Sequence, residues 1–195
     1  MTDISDRVQM HDVSVLSSNK YVLRKADFSL KRNDGTWQRM QREVYDRGNG
    51  AAILLHNIAQ RTVVLIRQFR VPAYLGGYRE MLLEAPAGML DGAEPEERIR
   101  KETGEETGFH IAKAEKIFQA FMSPGSMTEI LHFFVAPYTH VDRQSAGGGL
   151  ADEGEDIDVL ELPFDDAYAM IAKGDIVDAK TIMLLQWAKL NLFCR

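Results

Sequence analysis

The chain holds one cysteine in 195 residues, Cys194. An internal disulfide framework is excluded, and a reducing, cytoplasmic setting is expected. No apolar run approaches the length that spans a bilayer, and Met1-Thr2-Asp3 does not open like a signal peptide, so no membrane partner is expected. Positive charge is scarce too: 23 Lys and Arg against 29 Asp and Glu leave a net charge of −6. Such a chain is a poor candidate for nucleic acid, whose backbone calls for a basic patch. Repeats and low-complexity linkers are also lacking. The length suits one soluble domain with a good core and room for an added subdomain.

What the chain does have is acid concentrated between Glu84 and Phe109. A small-residue turn, Ala85-Pro86-Ala87-Gly88, precedes a segment in which Pro95 suits the first helical position and Glu96 and Glu97 suit the first turn. A helix from about Pro95 to Gly108 follows. On it Glu102 and Glu106 lie one turn apart on one face with Glu105 beside them, while Ile99 and Thr103 point elsewhere. Like charges at that spacing cost about a few tenths of a kcal/mol per pair when exposed, and more when buried. Charge-rich helix faces are ordinarily just solvated. A hard cation such as Mg²⁺ would remove the repulsion and still leave positions for a phosphate. Gly104 in mid-helix, at about 1 kcal/mol relative to Ala, is a choice that helix stability alone would not make.

The rest of the chain frames this helix. Tyr21 to Tyr45 reads as a β-hairpin around Asn33-Asp34-Gly35, with a weaker strand near Val13 to Leu16. Ala51 to His56 and Thr62 to Phe69 read as buried strands, and Arg67 and Arg70 leave the second at its polar end, as a phosphate site or as ordinary surface pairs. Strands follow at Ala114 to Met122 and Leu131 to Pro137, joined by a turn-rich loop ending in Glu129 that is either a lid or a connection. Residues 145–156, with Gly147-Gly148-Gly149, Glu153, Gly154 and Glu155, are by composition the most flexible and are acidic. Ile157 to Leu162 gives a last strand. Pro163 opens a helix that Gly174 closes, and Asp178 caps a final one.

Gly88, Lys101-Glu102 and Glu105-Glu106-Thr107-Gly108-Phe109 resemble the Nudix box. Lys101 stands for the usual Arg, Thr103 fills an apolar position, and the stretch after Gly88 is one residue short. Arg42 to Gly50, Val64 to Arg70, Met122-Ser123-Pro124-Gly125 with Thr128-Glu129, the triple glycine and Glu155-Asp156-Ile157 extend the likeness to the GDP-mannose pyrophosphatase branch of the Nudix hydrolases, close to the ADP-ribose pyrophosphatases. That branch shares the shortened box. The resemblance implies an α/β fold: a Nudix α/β/α sandwich with a mixed sheet (48–195) and a small N-terminal antiparallel β subdomain (1–47) exchanged across a homodimer. It implies Mg²⁺-dependent hydrolysis of GDP-mannose, or alternatively of ADP-ribose, with two or three ions and Mn²⁺ as a substitute; a non-catalytic sensor is the distant alternative. The Ala87 carbonyl, Glu102, Glu106 and Glu155 would hold metal, and Glu105 would assist. Arg70, Ala87, Gly88, Met89, Glu106, Glu129, Gly154, Glu155 and Lys180 would line the nucleotide-sugar site, reached from the second subunit by Gln41, Arg42, Glu43 and either Lys20 or Tyr21. Glu155 or Glu153 would be the base.

Overall fold

The computed structural model describes residues 3–194, the side chain of Glu153 excepted. Asp34 accepts the Thr36 N–H at 2.9 Å and Gly35 takes φ +86°, a turn tight enough to pair β2 (Val22–Lys31) with β3 (Trp37–Asp46) from Val22 opposite Asp46 to Lys31 opposite Trp37. A third strand, β1 (Val8–Ser18), is antiparallel to β2 and runs well beyond the Val13–Leu16 segment that its alternation picks out. This small sheet groups with residues Phe121–Ile130 as one compact unit. Tyr45 binds that loop on both sides: its N–H donates to the Ser126 carbonyl at 2.8 Å and its carbonyl accepts the Thr128 N–H at 3.2 Å. The unit is therefore built from two separate stretches of chain.

The second unit takes in Gly50–Ala120 and the chain from Leu131 onward. Its strands are β4 (Gly50–Asn57), β5 (Thr62–Gln68), β6 (Leu82–Glu84), β7 (Ala87–Met89), β8 (Glu115–Phe121), β9 (Ile130–Pro137) and β10 (Asp158–Pro163). They form one mixed seven-stranded sheet in the order β10-β5-β4-β9-β8, with β4 parallel to β9 and antiparallel to β5. The strands β4 and β5 pair only over Leu55–Asn57 and Thr62–Val64. Beyond that they part, β6 continues beside β5 and β7 beside β4, and the Ile53 N–H bonds the Pro86 carbonyl at 3.0 Å in the crook. This fork in the sheet holds the turn between Glu84 and Ala87.

Helices cover both faces, which is why β4 and β5 are apolar along nearly their whole length. Every second residue, Ala51, Ile53, Leu55 and Val64 among them, packs with Ile99 of α2 (Pro95–Thr107) and the edge-on rings of Phe109 and Tyr138. The alternate residues meet α3 (Phe164–Lys173) and α4 (Ala179–Asn191), where Phe164 stacks on Phe193 at 4.1 Å. A further short helix, α1 (Val71–Leu75), follows β5; apolar periodicity is blind to five residues, and Pro72 in its first turn is the signal that marks it. Ile99 is fully buried, so Ile99→Ala should lower stability by roughly 2–5 kcal/mol, read from a denaturant midpoint, and loosen the helix that carries the acids.

Candidate active site

The helix α2 begins at Pro95, with Glu96 and Glu97 in its first turn, and stops at Gly108 in the left-handed conformation, whose N–H bonds the Gly104 carbonyl. Packing Ile99 onto the sheet turns Glu102 and Glu106 inward too, leaving them 7 and 1 % exposed, while Glu105 stays near the surface with Lys101 at 3.1 Å. At Gly104 a Cβ would come within 3.1 Å of the His110 ring, a tight contact that glycine avoids.

Both inward acids close on β7. The Glu106 carboxylate accepts the Ala87 N–H at 3.0 Å, and Arg98 joins β7 to Glu102, donating to the Met89 carbonyl at 2.8 Å and pairing with Glu102 at 2.6 Å. At Gly88 a Cβ would fall inside the space of the Glu102 carboxylate, so only glycine fits. Burial first, and then the neighbouring Glu102, push the Glu106 pKa well above the usual range; the Ala87 N–H opposes this, Glu155 adds to it and Arg70 opposes it. Two buried carboxylates one helical turn apart, with the pKa of Glu106 raised, fit a hard cation, which relieves desolvation and repulsion together. The expected donors are all oxygen and include one main-chain carbonyl, that of Ala87. Among the described residues no three acidic, imidazole or thiol side chains are gathered ready to hold an ion.

The glycine-rich loop differs from its compositional expectation. Gly147, Gly148 and Gly149 have φ +73°, +113° and +78°, and the N–H groups of Gly148 and Gly149 donate to the carbonyls of Glu106 and Glu105 at 2.9 and 3.1 Å. Glycine here lets the loop lie flat on the open carbonyl end of α2, giving those acceptors donors. The loop is pinned, not loose. Its hold extends to Glu155, whose carboxylate accepts the Leu150 N–H at 2.9 Å and would collide with a Cβ on Gly149 at 2.5 Å. Gly154 follows a short 3-10 turn at φ +75°. The side chain of Glu153, the other expected base, lies outside the described residues.

The two arginines that leave β5 part ways. Arg67 pairs with Asp158 at 2.8 Å on the surface. Arg70 lies against Glu84, with bonds of 2.7 and 3.2 Å, and Lys180 in the first turn of α4 reaches the same carboxylate. Burial would lift the Glu84 pKa, but Lys180 and Arg70 outweigh it and hold Glu84 below the usual range. No role is assigned to Glu84 from the sequence alone. The available signal is an acid at the end of the apolar Leu82-Leu83 pair, directly before Ala-Pro-Ala-Gly.

The other expected contacts belong to the N-terminal unit. Lys20 and Arg47 stand 5.8 and 5.6 Å from the centre of the Tyr21 ring, with Tyr45 edge-on to it. Gln41 donates to Asp27 at 3.2 Å beside a two-bond contact from Arg39, and these bonds pull the Asp27 pKa down to about 2. Arg42 donates to the Gln41 carbonyl at 2.8 Å, and Glu129 pairs with Arg47 at 3.5 Å. Arg42 and Glu43 border a cavity of about 300 Å³ with Met10, Phe28, Pro124 and Met127.

A mixed sheet thus lies between helices, with paired acids on one helix closing on a glycine-bearing strand, and comparison with known proteins gives the family. Residues 46–185 match the NUDIX domain, and residues 7–45 match the GDP-mannose pyrophosphatase NudK N-terminal domain. The chain belongs to the Nudix hydrolase family. Within that family it is similar to the GDP-mannose pyrophosphatase of Pectobacterium atrosepticum, at 53 % identity over 186 residues and 95 % of each chain. It is also similar to those of Klebsiella pneumoniae subsp. pneumoniae, at 51 % over 89 % of this chain and 87 % of the relative, and of Escherichia coli O1:K1, at 50 % over 91 and 92 %.

Gly88→Ala should push Glu102 off β7 and weaken Mn²⁺ binding by about 10–100-fold, the usual effect of losing support behind a ligand. Calorimetry on the purified protein measures it; unchanged affinity would separate Glu102 from the ion.

Proposed function

We propose that this enzyme hydrolyses the pyrophosphate bond of GDP-mannose, giving GMP and mannose 1-phosphate, with Mg²⁺ as cofactor. The observation that carries the reading is the sealed pair Glu102 and Glu106 against Ala87 and Gly88, whose mutual repulsion a divalent ion offsets. The substrate follows from relatives at about 50 % identity over most of the chain, which bear the name GDP-mannose pyrophosphatase.

Glu102, Glu106, Glu155 and the Ala87 carbonyl would hold the metal. When bound, Mg²⁺ supplies charge neutralisation at the diphosphate and a lower pKa for a coordinated water. Arg70 and Lys180 add positive charge where phosphate oxygens bind. A water attacks one phosphorus, the bridging P–O bond breaks, and the water's proton passes to Glu155, or to Glu153 in its place. The Leu150 N–H holds the Glu155 carboxylate, and glycine at position 149 leaves it room. Ala87, Gly88, Met89, Glu129 and Gly154 shape the nucleotide-sugar pocket.

The active form is a cytoplasmic homodimer that exchanges its N-terminal β subdomains, so that Gln41, Arg42, Glu43 and Lys20 or Tyr21 contact substrate held by the second copy. Exposed Met10, Val13, Val15 and Leu16 on β1 support this, since a three-stranded sheet with such a surface gains by being covered.

Turnover of GDP-mannose and ADP-ribose, measured side by side with Mg²⁺, tests the substrate: the first is expected to have the higher kcat/KM, and the reverse order would move the assignment to ADP-ribose. Chelation should abolish turnover and added Mn²⁺ restore it. Glu106→Gln should cut kcat by about 10²–10³-fold, as for loss of one preorganised electrostatic element. Glu155→Gln and Glu153→Gln, made separately, identify the base by which one loses rate at saturating Mg²⁺; if neither does, the base lies elsewhere.

A further inference from the structure

We infer that Glu84 is a positioning residue that sets Arg70 and Lys180, from distant parts of the chain, as one diphosphate-binding pair. The inference rests on the reading above that Arg70 and Lys180 meet the phosphates of a nucleotide sugar.

The geometry is specific. Glu84 closes β6 opposite Ile66, in the fork of the sheet, and is 1 % exposed. One oxygen takes the Arg70 Nε at 2.7 Å; the other takes an Arg70 Nη at 3.2 Å and also the Lys180 ammonium. Arg70 is the residue before α1 and Lys180 the second residue of α4, 14 and 96 positions away from Glu84. The ammonium is held from a second side by Asp178 at 3.0 Å, itself fixed by the N–H and hydroxyl of Thr181. Thr181 in turn accepts the N–H of Ala85, next to Glu84, at 2.6 Å. Every member of the cluster is therefore tied to the Glu84-Ala85 backbone or to the start of α4.

This arrangement is a weak source of stability, because removing a carboxylate from water costs about as much as its cations return. Its product is orientation. The Arg70 side chain keeps 40 % of its surface exposed while its Nε and one Nη are held on Glu84. The two cations would repel each other if Glu84 were neutral. Arg70 also feels the charge of Glu106. Clamped to Glu84, it stays beside the acids of α2 without collapsing onto them, at the place where a diphosphate bridging both would lie. The sum of Glu84, Asp178, Arg70 and Lys180 is neutral, so the cluster persists without ligand and needs no rearrangement when phosphate arrives.

The experiment is a double-mutant cycle on Glu84→Gln and Arg70→Lys with two readouts: kcat and KM on GDP-mannose with Mg²⁺, and calorimetric binding of Mg²⁺-imidodiphosphate, a non-hydrolysable diphosphate lacking nucleoside and sugar. Glu84→Gln, whose volume is unchanged, should weaken both imidodiphosphate binding and kcat/KM by roughly 10–100-fold. Adding Arg70→Lys should cost little more, because the two changes remove the same arrangement. Glu84→Asp, which keeps the charge, should recover part of the loss. The inference is overturned if Glu84→Gln binds imidodiphosphate within about twofold of the parent, or if the two losses multiply; a fall in melting temperature alone would mark Glu84 as structural. A parent protein that binds imidodiphosphate but leaves GDP-mannose intact would refute the substrate while the binding arm still decides Glu84.

Discussion

Two carboxylates buried one helical turn apart are an unfavourable arrangement, and much of the larger unit consists of whatever makes Glu102 and Glu106 tolerable. Both are out of water, and at Glu106 burial and then the neighbouring Glu102 raise the pKa. The opposing contributions are local: an amide from Ala87, a guanidinium from Arg98, and the more distant charge of Arg70. None removes the whole cost. That residual frustration is the physical basis of affinity for a divalent ion, because a cation recovers energy that the empty arrangement lacks.

The strands deliver the partners. Because β4 and β5 separate after a short stretch of pairing, the segment from Leu82 to Met89 enters the sheet as two short strands and places main-chain groups where side chains would otherwise pack. Glycine at position 88 allows a carboxylate to rest on the backbone itself. At the carbonyl end of the helix, Gly148 and Gly149 bond the carbonyls of Glu106 and Glu105, and Glu155 beyond them adds to the field at Glu106. An oxygen-lined centre thus arises from contacts in which small residues matter as much as acidic ones.

Much of this was legible in the sequence because it is local. Pro95 and Gly108 bound the acidic helix, Asp178 caps the last one with bonds to Thr181, and Asn33-Asp34-Gly35 fixes a hairpin. Glu102 and Glu106 turn inward together with Ile99 and Thr103, against the expectation that those two point elsewhere; spacings of three and seven residues from Ile99 put both acids on its side of the helix. Glu105 does not join them, since one residue's offset turns it toward Lys101 and solvent. The triple glycine misleads for a clear reason: composition reports how many conformations a segment can adopt, and the carbonyl end of α2 selects one. Glu84 is illegible because its meaning lies in Lys180, 96 residues on. Likewise Arg67 and Arg70, three residues apart, look equivalent until β10 supplies Asp158 to the first and β6 supplies Glu84 to the second.

The loop between β8 and β9 has an architectural consequence. Its backbone is stitched to Tyr45, and Asn49 accepts the Ile130 N–H at 2.9 Å, so the smaller unit is discontinuous in the chain. A cut after Asn49 would not release a self-sufficient module; it would strip the excursion at 121–130 of its hydrogen-bonding partners and leave it dangling from two sheet strands. The smaller unit is thus interrupted in sequence by part of the larger one, and a chimera that swaps the first 49 residues must carry the matching insert along with them.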